Sequence, residues 1–271
     1  MSAEQAPQQP VATRRAVAES FGRAARSYDA HARLQLAAAR TLKGMLPEDL
    51  APAWAVDLGV GTGPVTRALC EQLPKTRWLA LDIAEPMLHE GVARGRFVGQ
   101  CLPVCADAMQ LPLAAASAGL VFSSFALQWC TALPPLAAEI ARVMAPGGVF
   151  AFCLPVAGTL AELRESWAAA DDAPHVNRFH RSDDWLAALQ AAGLQVDTAH
   201  THQVREHYPD VRAIATMLRA TGARHVVRAA PAGLTGRRRY AAFQSAYEQL
   251  RTSQGLPLSW QILYAVLRKP A

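Results

Sequence analysis

The sequence predicts a doubly wound α/β fold, and three observations carry that prediction. A short apolar run, Trp54 to Val56, ends in Asp57 and opens onto glycines at alternate positions, Gly59, Gly61 and Gly63. A helical pattern then starts near Val65 with Leu69 and Leu73 on one face, giving strand, glycine turn and helix in that order. Further βα steps with matched turns follow as far as Leu154. Sheets of this class bind ligands beyond the carboxyl ends of their strands, which fixes where a site is expected.

Taken in order, residues 1–12 are expected to form a disordered Ala/Gln/Pro tail. Residues 13–50 read as an N-terminal helical lid, with Gly22 and Ser27-Tyr28-Asp29 suggesting a break between two helices. A cofactor-binding α/β core spans 51–156. Its second strand runs Arg77 to Leu81 and ends in Asp82, and Glu85-Pro86 opens the next helix with proline in the first turn. A third strand covers Val104 to Asp107, Leu111-Pro-Leu113 is a turn, and a fourth strand runs Ala118 to Phe125. Gln128 and Trp129 lie just past its end, where residues line the crevice. A helix from Leu136 stops at Pro146-Gly-Gly148, which feeds a fifth strand, Val149 to Leu154.

Residues 157–271 read as a substrate-lid insertion plus C-terminal strands. Helices are expected at Leu160–Ala170, after a cap at Ser182-Asp-Asp-Trp185, at Val211–Thr221 and at Tyr240–Arg251. Strand-like alternation marks Leu194–Tyr208. A basic, loop-rich stretch holds Arg224, His225, Arg228, Arg237, Arg238 and Arg239. Leu258 to Leu267 is a final strand, expected at the sheet's edge and antiparallel, completing seven strands.

The chemistry is written first at the glycine turn. Glycine takes positive φ and lets a ligand lie against bare backbone, and amides opening the following helix attract a small anionic group. An acid at Asp57 repels a pyrophosphate and suits an ammonium group, and the G-x-G-x-G spacing differs from the dinucleotide G-x-G-x-x-G. Asp82 is placed to accept both hydroxyls of a ribose, and Asp107 with Ala108 to meet an adenine edge. Amine, carboxylate and nucleoside together describe S-adenosylmethionine better than NAD. Gln128 belongs to the same candidate cofactor set, facing the sulfonium or the substrate wall.

Asp57-Leu-Gly-Val-Gly-Thr-Gly63 resembles the cofactor loop of class I S-adenosylmethionine-dependent methyltransferases. Four further blocks resemble the malonyl-acyl-carrier-protein O-methyltransferases of biotin synthesis: Phe21-Gly-Arg-Ala-Ala-x-x-Tyr28, Leu127-Gln-Trp-Cys130, Pro174-His-Val-Asn-Arg-Phe179 and Leu218-Arg-Ala-Thr-Gly-Ala223. The resemblance implies a Rossmann-like seven-stranded methyltransferase sheet, its last strand antiparallel, with helical N-terminal and inserted lid elements. It implies methylation of the free carboxylate of a malonyl thioester on acyl carrier protein or coenzyme A. That carboxylate is ionised at pH 7, so the reaction needs positioning and dryness, not a general base. The catalytic candidates are Tyr28 to orient the acid and Arg219 or Arg178 to recognise and align it. The arginines from 224 to 239 offer a face to an acidic carrier.

Composition narrows the remaining classes. The 271 residues are 51% hydrophobic with net charge +5, a balance that does not single out nucleic acid. The five cysteines have no zinc-type spacing and read as reduced core residues, so no metal is expected. No run has membrane-spanning length and no signal-peptide core opens the chain, so a cytoplasmic protein with no membrane partner is expected. Rival readings are a methyltransferase of the same fold acting on a small acid or quinone precursor, an NAD oxidoreductase, and a non-catalytic cofactor-binding module.

Overall fold

The computed structural model describes residues 14–221 and 236–271. The expected tail at 1–12, together with Arg224, His225 and Arg228, lies outside the described residues. Seven strands form one sheet in the order β3-β2-β1-β4-β5-β7-β6. They are β1 (Trp54–Leu58), β2 (Arg77–Asp82), β3 (Cys101–Cys105), β4 (Ala118–Ser124), β5 (Met144–Pro155), β6 (Gln195–Tyr208) and β7 (Leu256–Arg268). β1 to β5 pair in parallel, and β7 runs antiparallel to both β5 and β6.

The last strand is therefore antiparallel as expected, but it is not the edge. Nearly every residue of β7 is buried, whereas β6 is mostly exposed or half-buried. The two cores bury alternate side chains of β7 on its two faces, and β6 takes up its outer row of backbone groups and is itself the edge.

Alternation along the strands builds two cores. Ala55, Trp78, Ala80, Phe122 and Ala151 face one layer, which includes α2 (Arg33–Lys43), α3 (Thr66–Gln72), α6 (Ala161–Ala168), α8 (Val211–Ala220) and α9 (Arg237–Glu248). Val56, Leu81, Val121 and Phe150 face the other, made by α5 (Leu133–Val143) and α7 (Ser182–Ala191). Strand order reverses between β1 and β4, so the crevice expected of this topology opens at the tips of those two strands.

Several boundaries differ from the sequence expectation. The helix break falls at Ala32, between α1 (Arg14–His31) and α2; Gly22 lies inside α1. A Cβ on Gly22 would stand 3.2 Å from Pro86 Cγ, so this glycine serves the close approach of α1 to α4 (Glu85–Ala93). The segment Pro146-Gly-Gly148 is absorbed into β5, where the register shifts between Ala118 and Leu120 as in a β-bulge. β3 starts at Cys101 and ends at Cys105, so Asp107 sits in the following turn, bridged to Gln110. α7 begins at Ser182 itself, and Asp184 closes the cap by accepting the Arg181 N–H at 3.1 Å. Arg237, Arg238 and Arg239 form the first turn of α9, not a loop.

Candidate functional site

At the tips of β1 and β2 a cavity of about 560 Å³ opens, lined in part by Asp57, Gly59, Gly61, Asp82, Asp107 and Ala108. The glycine turn is held from behind by the end of β2. Gly59 and Val60 donate to the Leu81 carbonyl at 2.7 and 2.9 Å, and the Gly61 N–H donates to Asp82 Oδ2 at 2.8 Å. The amides of Gly59, Val60 and Gly61 are thus engaged within the protein, and what these residues offer a ligand is bare backbone. Gly59 (φ +76°) lies so close to Ala126 that a Cβ would overlap it. At Gly61 (φ +57°) a Cβ would meet nothing within 4 Å, since that position faces open space. Gly63 does not line the cavity; its Cα packs under Phe97.

The three acids differ in how they are held. Asp82 accepts from Gly61 on one oxygen and from the Ala84 N–H at 2.8 Å on the other, and burial raises its pKa above the carboxylate range. Each oxygen keeps a further lone pair for a hydroxyl donor. Asp57 is 5% exposed and accepts the Thr66 hydroxyl at 2.6 Å. Burial, more than its neighbours, pushes its carboxyl up to about 7, with the nearby Asp82 charge adding to the effect. Asp107 accepts from the Met109 N–H at 2.9 Å and pairs with Arg14 of α1 at 2.7 Å.

Helix α1 roofs this cavity and is tied down at both ends. Besides Arg14, Asp29 receives the Thr62 hydroxyl and pairs with Arg94 and Arg96, each at 3.2 Å. Its inward face carries Tyr28, half-buried, whose phenol pKa is raised by desolvation and by the charges of Asp82 and Asp29. The hydroxyl therefore stays protonated through the physiological range and remains a donor.

A second cavity of about 460 Å³ adjoins the first. Phe21, Tyr28, Gln35, Phe125 and Trp129 line both, so these five residues form a shared wall. Phe21 meets Trp129 edge-on, with ring centroids 5.5 Å apart. The far side of the second cavity is aromatic. His175, Trp167 and Phe243 stack in one column, with centroid separations of 3.8 and 4.0 Å about Trp167. Asp171 holds the column's outer ring, bonding His175 Nε2 at 2.7 Å, and that contact draws the Asp171 carboxyl below its usual range. Phe125 (φ +53°) and Leu160 (φ +56°) both line this cavity in the left-handed region, a strain kept only where packing enforces it.

Of the sequence candidates, Asp57, Gly59, Gly61, Asp82, Asp107 and Ala108 converge on the first cavity, and Tyr28 stands between the two. Arg219, in the last turn of α8, lines the second cavity while remaining exposed. Arg178 is exposed and lines neither, because the link after His175 carries it outward. Gln128 lines the second cavity and not the first; its side chain folds back to donate to the Phe125 carbonyl at 2.7 Å. Sequence reasoning missed Thr66, Arg14, Asp29, Gln35 and Phe125. Arg14 and Asp29 act through partners distant in sequence, and Thr66, Gln35 and Phe125 carry no motif of their own, so spacing alone does not reveal them.

All five cysteines are free thiols. Among the described residues no cluster of three or more His, Cys, Asp or Glu side chains is arranged to hold a metal, and no helix is long and apolar enough to cross a membrane.

Residues 56–152 match the model of the methyltransferase domain family. Over 253 residues the chain is 47% identical to a malonyl-[acyl-carrier protein] O-methyltransferase of Alcanivorax borkumensis, covering 93% of this chain and 86% of that protein. It is 40% identical to a biotin biosynthesis bifunctional protein BioHC of Cellvibrio japonicus, covering 94% of this chain and 50% of that longer protein. In fold it matches a geranyl diphosphate C-methyltransferase of Streptomyces coelicolor, solved with S-adenosyl-L-homocysteine. The TM-score is 0.54 at 16% identity, over 88% of this chain and 80% of that one.

Proposed function

The chain belongs to the malonyl-[acyl-carrier protein] O-methyltransferase family, and from that premise we propose that its two cavities hold the two substrates of malonyl methyl ester formation on a carrier thioester. The enzyme is an S-adenosylmethionine-dependent O-methyltransferase of biotin synthesis. The observation that carries the two-cavity reading is the shared wall of Phe21, Tyr28, Gln35, Phe125 and Trp129, through which the cavities adjoin.

The first cavity suits S-adenosylmethionine on its own chemistry. Three carboxylates and a bare glycine turn oppose a pyrophosphate, which argues against a dinucleotide. They favour a ligand with hydroxyls for Asp82 and a cationic amine near Asp57. Asp107 and Ala108 are assigned to the adenine edge. When bound, the cofactor supplies an electrophilic methyl group on a sulfonium. Everything else falls to the chain's own residues.

Tyr28, held as a neutral phenol, donates to the incoming carboxylate without taking its charge. A malonyl carboxylate is already ionised at neutral pH, so no side chain is needed as a base. Phe125, Trp129 and the aromatic column exclude water, which favours a reaction in which opposite charges are neutralised. Arg219 at the open side of the second cavity aligns the acid and distinguishes malonyl from acetyl thioesters.

The carrier is assigned to the face formed by Arg237, Arg238 and Arg239. All three are exposed in the first turn of α9, which contains no acidic residue. Arg239 already stands 3.8 Å from Asp171, and Arg237 and Arg238, at the positive end of a helix dipole, add a cost that an acidic partner offsets.

Transfer of labelled methyl from S-adenosylmethionine tests the reading. Malonyl carrier should become labelled as a base-labile ester, while free malonate and small aromatic acids should not. Label on small acids alone would favour the small-molecule methyltransferase instead.

A further inference from the structure

Five buried side-chain polar atoms have no hydrogen-bond partner among the described residues: Gln35 Oε1, Trp78 Nε1, Gln128 Oε1, Trp129 Nε1 and Arg164 Nε. Three of them, on Gln35, Gln128 and Trp129, belong to residues lining the second cavity. Buried polar groups are rarely left unpaired, and a concentration of them at one cavity calls for a ligand that completes them. Their chemistry also specifies what that ligand presents.

Trp129 Nε1 is a donor only and needs an acceptor. Gln128 is pinned in the opposite sense. Its Nε2 donates to the Phe125 carbonyl at 2.7 Å, so its Oε1 is fixed as an acceptor and needs a donor. An ionised malonyl group has acceptors but no donor. The arm that carries it, pantetheine in both acyl carrier protein and coenzyme A, bears an amide N–H two methylenes beyond the thioester sulfur. Placement agrees with that division. Trp129 lines both cavities and so stands where the reacting carboxylate arrives, whereas Gln128 lines the second cavity alone.

We infer that Trp129 and Gln128 form a donor–acceptor reader of the acyl arm. The Trp129 indole N–H holds the carboxylate oxygen that does not attack, and Gln128 Oε1 accepts the arm's nearest amide N–H. The inference rests on the two-cavity reading above and deepens it, since it makes Gln128 a specificity residue for the arm and not a cofactor contact. Phe125 has a defined part in it. Its left-handed backbone, with its own N–H bonded to the Cys153 carbonyl at 2.8 Å, presents the carbonyl that orients Gln128.

The test is a substrate–residue cycle read by binding. Malonyl-pantetheine and its analogue with an ester oxygen in place of that amide N–H are titrated calorimetrically into full-length protein saturated with S-adenosylhomocysteine, so that no turnover occurs. Wild type should bind the ester analogue on the order of tenfold more weakly than the amide. Gln128→Met should bind the amide about as weakly as wild type binds the ester, and should show no further loss with the ester. Losses that multiply in Gln128→Met would overturn the inference. Trp129→Phe keeps an aromatic wall and should weaken malonyl-pantetheine by about tenfold or more while leaving acetyl-pantetheine unchanged. Equal weakening of both thioesters would overturn the carboxylate assignment. Gln128→Met, at a residue that lines the second cavity alone, should bind S-adenosylhomocysteine as wild type does, and Trp129→Phe should unfold in one cooperative thermal transition as wild type does, which shows the fold intact. If wild type fails to methylate malonyl carrier in the labelled-methyl assay, the two-cavity reading itself falls and takes this inference with it.

Discussion

The two cavities of this molecule are built on opposite plans. Around the first, the carboxylates arrive already bonded: Asp57 to Thr66, Asp82 to Gly61 and Ala84, Asp107 to Met109 and Arg14. In the second, Gln128, and on the wall it shares with the first, Gln35 and Trp129, each leave a buried polar atom without a partner among the described residues, facing a column of stacked rings. The carboxylates of the first are bonded before anything binds. On the proposed reading, the second is completed by what enters it. A site for a ligand common to many enzymes can be prepaid in local hydrogen bonds, whereas a site that selects one acceptor leaves its selective groups open.

The sharpest way to break the comparison is Asp82→Ala. It removes the acceptor that fixes the glycine turn and Ala84 together, two charge-assisted bonds of about 1.5–3 kcal/mol each. S-adenosylhomocysteine affinity should fall on the order of a hundredfold or more by calorimetry. A change below about threefold would mean that the first cavity does not depend on its prebuilt frame.

Arg219→Ala should act on the second cavity alone. The KM for malonyl carrier should rise about ten- to a hundredfold with cofactor affinity unchanged, and Arg219→Lys should recover part of the loss. A parallel loss of cofactor binding would dissolve the distinction between the two regions.

Asp57 gives a pH prediction. Its folded pKa of about 7 lies above the ordinary carboxylate value, so the folded chain keeps a proton that the unfolded chain has released. Its contribution to ligand-free stability is therefore full at acid pH and lost as pH rises towards 7, with a slope of about 1.4 kcal/mol per pH unit for one proton. Thermal melts from pH 5 to pH 8 should show that decline, and Asp57→Asn should flatten part of it. An unchanged slope in the variant would remove Asp57 as its source.

The smallest effect belongs to Arg14→Ala. The Arg14–Asp107 pair is more than half exposed on the arginine side, and such pairs contribute about 0–1 kcal/mol. Stability should barely move, and cofactor affinity should change by no more than about fivefold. A larger change would make this pair a true fastening of α1 and bring the roof into the prebuilt frame.

The same contrast explains what was legible in the sequence. Asp57, the glycine turn and Asp82 fall within one βαβ step, so spacing exposes them, and strand tips in this topology converge on one crevice. The doubly wound order was readable for the same reason: each βα step carries its own turn. The exceptions were set at long range. The place of β7 inside the sheet depends on pairing with β6, in a register that runs from Tyr208 opposite Leu256 to Gln195 opposite Arg268, and no local pattern encodes contacts at that separation. Gln35, Phe125, Trp167 and Phe243 meet around the second cavity from separate segments, and nothing in the spacing of any one segment announces the meeting. Arg178 sat in a suggestive block, yet the backbone turns it outward.

The most direct measurement is a crystal structure with S-adenosylhomocysteine and a malonyl-pantetheine amide analogue bound together. The account predicts the nucleoside over Gly61 with its ribose at Asp82, the acyl arm along the second cavity, and the malonyl carboxylate at the wall shared by Tyr28, Phe125 and Trp129. An acyl group lodged elsewhere, or a second cavity left empty while the carboxylate reaches the cofactor by another route, would contradict it.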